Sequence, residues 1–140
     1  MNIDSNQWHI SLHFLPDAEF ESGQVEWQNE SVKALKIDAG KLQESFPARF
    51  DEFIVGINSL SSGYAEGDGS FGVVGPAGAW KICGNIYERD GQIQYAELLG
   101  TCPQPSLVDI VNKLNVGPQQ CAIQHMQGGF FQSFEQFFGS

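Results

Sequence analysis

His9, Ser11 and His13 alternate in WHISLHFL, placing a hydroxyl between two imidazoles. On a strand rising ~3.3 Å per residue the two histidines stand ~13 Å apart, too far to share one zinc ion with bonds near ~2 Å. They are therefore read as exposed strand residues, not a chelating pair. GDGSFGVV, residues 67 to 74, fits G-x-G-x-x-G, a spacing that lets backbone amides cradle phosphate. Glu66, Asp68 and Ser70 alternate in the same loop, a partial oxygen set without the closing glutamate of a calcium loop. Cys83, Cys102 and Cys121 form no C-x-x-C pair. Cys102, in the turn-like GTCPQP, is the thiol to test for reactivity, and with His125 it would make a nucleophile and base.

HISL, residues 9 to 12, resembles one of the paired H-x-[S/T]-hydrophobic motifs of two-histidine phosphoesterases. There each histidine does acid–base work and each hydroxyl binds phosphate. The second motif would have to come from His125, where HMQG carries Gln127 in place of Ser or Thr. GDGSFGVV followed by Ala79-Trp80-Lys81 resembles the glycine loop and A-x-K lysine of protein kinases. The H-R-D and D-F-G motifs that would supply the base and hold magnesium do not occur. A dinucleotide site needs a strand before the loop and a helix after it. Here a helical pattern precedes, and Gly75, Pro76 and Gly78 exclude a helix after. The glycines are read as a loop and a short glycine-rich strand. No catalytic residue, metal or cofactor is assigned.

The elements that would position these groups follow from periodicity. Trp8, Ile10, Leu12 and Phe14 point one way along the first strand; Val25 and Trp27 face inward in QVEWQ, with Glu26 outward. Residues 31 to 46 read as a strand followed by a helix. Pro47 suits the start of the next helix, whose Phe50, Phe53, Ile54, Ile57 and Leu60 keep helical spacing up to Gly63. AWKICGNIYERDGQIQYAELLG is a hairpin turning at Asp90-Gly91. Ser106 caps a second helix bearing Leu107, Ile110, Val111 and Leu114, which stops at Gly117-Pro118. CAIQHM makes one more strand, and the phenylalanine-rich tail a short closing helix. The expected fold is a single α+β domain over residues 1–140: a mainly antiparallel sheet with two to three amphipathic helices packed on it.

The chain has 140 residues and a formal charge of −10, with no Lys or Arg before Lys33. Such a field repels nucleic acid and anionic membranes and draws basic partners. MNIDSNQWHI has neither a basic start nor an apolar h-region, and three unpaired cysteines suit a reducing compartment, so a cytoplasmic setting is expected. Together these features describe a small acidic binding protein that docks a basic protein partner. Toxin-immunity proteins and secretion chaperones are similar in kind. Asp17, Glu19, Glu21, Glu26 and Glu30 are the expected electrostatic surface, with Phe20 or Trp27 as aromatic anchor. Two alternatives stand beside it: a structural subunit that forms homo-oligomers, such as a homodimer, through the C-terminal phenylalanines, and a small hydrolase or phosphoesterase using His9 and Ser11.

Overall fold

The computed structural model describes residues 7–15, 20–37, 40 and 42–139. Strand β1 (Trp8–Phe14) lies near the middle of the sheet and pairs antiparallel with β7 (Gln92–Gly100) and β8 (Cys121–His125). A hairpin of β2 (Ser22–Trp27) and β3 (Glu30–Leu35) joins the sheet through β9 (Phe131–Ser133), which pairs with β8. On the other flank β6 (Lys81–Arg89) pairs with β7, followed by β5 (Ser70–Val74) and β4 (Gly63–Ala65). Among the described residues this is one nine-stranded sheet in the order β2-β3-β9-β8-β1-β7-β6-β5-β4, with every pairing antiparallel.

Alternation along the central strands sends Ile10, Leu12, Ile82, Ile86, Ala96 and Leu98 to one face. Helices α1 (Phe50–Asn58), α2 (Gln104–Lys113) and α3 (Phe134–Phe138) bring Phe53, Ile57, Leu107, Ile110, Val111 and Phe134 into the same core. The fold is therefore α+β, with helices packed on an antiparallel sheet, as the patterning indicates. No helix among the described residues is long and apolar enough to cross a membrane. The Asp90-Gly91 turn is observed with both residues at positive φ (55° and 82°), as a type I′ turn requires.

Several local expectations are corrected. Residues 42–46 are irregular chain, not helix. Leu35 and Leu42 pack into a small cluster with Leu15, Ala122 and Phe131, whereas Phe46 is buried in the main core, so the helical spacing served two separate cores. The first helix begins at Phe50, not Pro47, because Glu52 accepts from the Arg49 N–H at 2.8 Å and closes the N-terminus there. It ends at Asn58, and Gly63 instead opens β4, so close to the helix end that a Cβ would lie 2.3 Å from the Ile57 carbonyl. The second helix starts two residues before Ser106, after Pro103. The tail contributes β9 as well as a helix, which Ser133 caps by accepting from Gln136 N at 3.1 Å.

Candidate functional site

The face of the sheet turned away from the helices carries His9, Ser11 and His13. Only His9 is exposed there. Ser11 is 2% exposed; its Oγ is 2.8 Å from His13 Nε2 and 3.5 Å from Gln124 Oε1. His13 is half-buried, its ring stacked on Tyr95 and edge-on to Phe131. The expectation that both histidines are exposed thus fails at His13, since the side chains of β7 and β9 cover this part of the face. Burial lowers the His13 pKa to about 4. His9 Nε2 donates to Glu97 Oε2 at 2.7 Å, and Tyr87 Oη donates to Glu97 Oε1 at 3.0 Å. The His9 hydrogen bond, then that of Tyr87, holds the Glu97 carboxyl below its ordinary range.

His125 pairs in register with Ile10, on the helix-covered face. It therefore lies on the opposite side of the sheet from His9 and Ser11, and two facing histidine motifs are not assembled. Ser11 is engaged by His13, and His9 by Glu97. Among the described residues no group of three His, Cys, Asp or Glu side chains is arranged to hold a metal ion. Asp68 instead accepts from the Ser70 N–H (2.9 Å) and hydroxyl (2.6 Å), closing the turn between β4 and β5. GDGSFGVV runs through that turn into β5, a buried strand with Phe71 in the core, and only a three-residue 3-10 turn, Pro76–Gly78, follows, not the α-helix a phosphate site needs. Across β4 and β5, Tyr64 lies so close over Gly72 that a Cβ would come within 2.5 Å of the ring.

Cys102 is 7% exposed, and burial pushes its thiol, like that of Cys121, up to about 12. Both are protonated at neutral pH and shielded, so Cys102 is a poor nucleophile. Cys83, which the sequence does not single out, is the more accessible thiol and borders a pocket of about 430 Å³ on the open face with His9, Ser70, Asn85 and Glu97. In the folded protein a maleimide should modify Cys83 first, with Cys102 and Cys121 reacting on the timescale of unfolding. Mass spectrometry of a labelling time course reads this, and equal rates at all three thiols would contradict it.

The acidic residues lead to the other end of the sheet. Asp17 and Glu19 lie outside the described residues. Glu21, Glu26 and Glu30 are exposed on and beside the β2–β3 hairpin, and β2 has no second neighbour among the described strands. Lys36 N donates to Glu21 O at 2.8 Å. Antiparallel bonding alternates, so the backbone groups of Ser22, Gln24 and Glu26 point outward, away from β3. Gln28 and Asn29, with φ of 53° and 66°, make the tight turn that pairs Trp27 with Glu30. The only ion pair among the described residues is His9–Glu97, so none of the three hairpin carboxylates is ion-paired to a described residue. Lys33 and Lys36 belong to the inner strand and its exit, and the Lys36 stem lies over Gly23. The other terminal strand, β4, also has exposed carboxylates beside it, Glu66 and Asp68, but its outward backbone is engaged: Ala65 N and O bond the Asn58 side chain, and Gly63 N donates to Leu60 O. What sets the hairpin apart is exposed acid together with outward backbone groups that have no partner among the described residues.

Of the expected anchors, Phe20 packs against the Leu15–Ala122–Phe131 cluster. Trp27 turns toward α3 and borders a pocket of about 480 Å³ with Phe130, Phe137 and His125. The tail builds this site although it is remote in sequence. Gln132 Nε2 donates to Lys33 O at 2.7 Å, Gln136 Nε2 donates to Ser22 Oγ at 3.1 Å, and Phe131 pairs with Leu35. Its remaining phenylalanines close the core: Phe137 and Phe138 meet Trp8 edge-on, with centroids 4.9 and 5.7 Å away. No protein-family model, curated protein or solved structure matches the chain.

Proposed function

We propose that this chain is a non-enzymatic binding module that docks a basic protein partner on the acidic β2–β3 hairpin, as a toxin-immunity protein or secretion chaperone would. The observation that carries this reading is the coincidence of Glu21, Glu26 and Glu30, exposed and, among the described residues, without ion pairs, with the outward backbone groups of β2, which has no second neighbour among the described strands. An edge of this kind accepts an added strand, and the carboxylates select a cationic one and speed its encounter. The overall charge of −10 acts in the same direction. A cytoplasmic setting, with the thiols reduced, belongs to the same proposal.

The alternatives draw less support. Self-association through the tail would use phenylalanines that are already buried or half-buried within the chain. A hydrolase would need Ser11 and His9 coupled, whereas their polar atoms are committed to His13 and Glu97.

The test is a pull-down with the wild-type chain from its source cell, which should recover a basic protein, followed by comparison of a Glu21→Lys/Glu26→Lys/Glu30→Lys variant with wild type for binding to it. Exposed charge pairs are each worth up to about 1 kcal/mol, so reversing three should weaken the complex by about a hundredfold at low salt. Raising the salt beyond physiological strength should weaken wild type in the same sense, as screening shortens the reach of the charges. A complex indifferent to both salt and reversal removes the proposal.

A further inference from the structure

The pocket beside the hairpin is more specific than the hairpin's exposed carboxylates. Trp27 and Phe130 meet at a steep angle, 63° with centroids 5.5 Å apart, and form a corner of two ring walls. His125 lies flat on Phe130 (4.4 Å, 19°) and touches Phe137 (5.4 Å), so the four rings are fixed by one another. Gly128, in the turn after β8, lets both rings close on the chain; a Cβ there would lie 2.7 Å from Phe130 and 2.9 Å from Trp27. At about 480 Å³ the space is ample for one long side chain.

The chemistry of the walls selects among occupants. Each polar donor is already engaged internally: His125 Nε2 on Gln132 Oε1 (2.7 Å), and one N–H each of Gln132 Nε2 on Lys33 O (2.7 Å) and Gln136 Nε2 on Ser22 Oγ (3.1 Å). A carboxylate or phosphate would find at most neutral amide N–H groups there, and no cationic donor among these. Lys33 contributes that carbonyl, while strand alternation puts its side chain on the opposite face of the hairpin with Ser31 and Gln24. What remains are the indole of Trp27 and the side of Phe130 that His125 does not cover, with Glu30 directly across the hairpin from Trp27. Burial lowers the pKa of His125, so at neutral pH it adds no competing positive charge.

We infer that this pocket receives a lysine or arginine side chain of the docked partner, held over the faces of Trp27 and Phe130. The inference rests on the docking proposal and deepens it. The carboxylates of the edge draw the basic segment in, and the aromatic corner reads one of its residues by cation–π contact, to which Arg and Lys are both suited.

The test uses the full chain with indole-labelled tryptophan. The tripeptide Ac-Gly-Arg-Gly-NH2 and its citrulline counterpart, which is neutral and nearly isosteric, are titrated while the Trp8, Trp27 and Trp80 indole N–H signals are followed by NMR. The arginine peptide should shift Trp27 selectively, and the citrulline peptide should bind roughly tenfold more weakly. Trp27→Leu should abolish the response. Phe130→Leu should weaken it severalfold, which covers the case in which loss of Trp27 loosens the hairpin. No Trp27 shift at millimolar peptide, or equal binding of citrulline, overturns the inference. Its failure is distinct from that of the docking proposal. If charge reversal at Glu21, Glu26 and Glu30 abolishes partner binding while Trp27→Leu and Phe130→Leu leave it intact, docking stands and the pocket assignment falls.

Discussion

Acidification from pH 7.5 to 5 is expected to cost the folded protein about 2 kcal/mol through His13 alone, a pKa change from 6.5 to about 4 integrated over that interval. The unfolded chain takes up a proton at this residue below pH 6.5, but the folded chain only near 4. Stability therefore falls with pH between those values and is fully present above them. Burial is the cause: the ring lies between Tyr95 and Phe131 with its Nε2 against Ser11, where an imidazolium would be poorly hydrated. His125 is shifted in the same direction by burial and adds to the slope. Glu97 and Asp68 are shifted below the ordinary carboxylate range, so their contributions are lost only at lower pH. Urea denaturation at pH 7.5 and 5 should show a smaller difference for His13→Gln than for wild type, whatever the variant's stability at neutral pH. A variant that keeps the full wild-type slope would show that His13 is not the group responsible.

Replacing Phe131 with alanine should destabilise the fold by about 3–5 kcal/mol, the usual range for deleting a buried phenylalanine. The effect should also be uneven. Phe131 is 6% exposed, fills the small cluster with Leu15 and Ala122, and provides the registered pairing, with Leu35, that joins the hairpin to the sheet. Residues 22–35 should therefore lose amide-exchange protection well before the β6–β7 hairpin, whose nine-residue strands are joined by eight registered pairs and anchored on β1. Because the proposed docking surface is that hairpin, the variant should also bind the basic partner more weakly with every glutamate in place. A loss below 1 kcal/mol, or one spread evenly over all amides, would mean that the tail does not hold the edge strand.

Much of the scaffold is legible along the chain because its signals are local. Alternation in WHISLHFL, the Asp90-Gly91 turn and the helical spacing of Phe53 with Ile57 and of Leu107 with Ile110 and Val111 each depend on residues within one element. The errors have a shared origin in contacts across the sequence. Leu42 and Phe46 look helical in spacing yet belong to different clusters. Ser11 and His13 alternate as solvent-facing residues would, but strands some 80 to 120 residues further along bury them. Cys83, not Cys102, is the more accessible thiol because access depends on what packs over it.

At the acidic end, composition supplied the glutamates, the absence of early lysine and arginine, and Trp27 as an inward residue of a strand. Chain order carries no record that β2 would lie at the edge of nine strands, or that Phe130 and Phe137 would come to stand around Trp27. Sheet order and pocket walls are set by pairings between distant segments, and each strand's pattern is compatible with several neighbours. Only the packed molecule, where one arrangement buries the most apolar surface with its hydrogen bonds made, chooses among them.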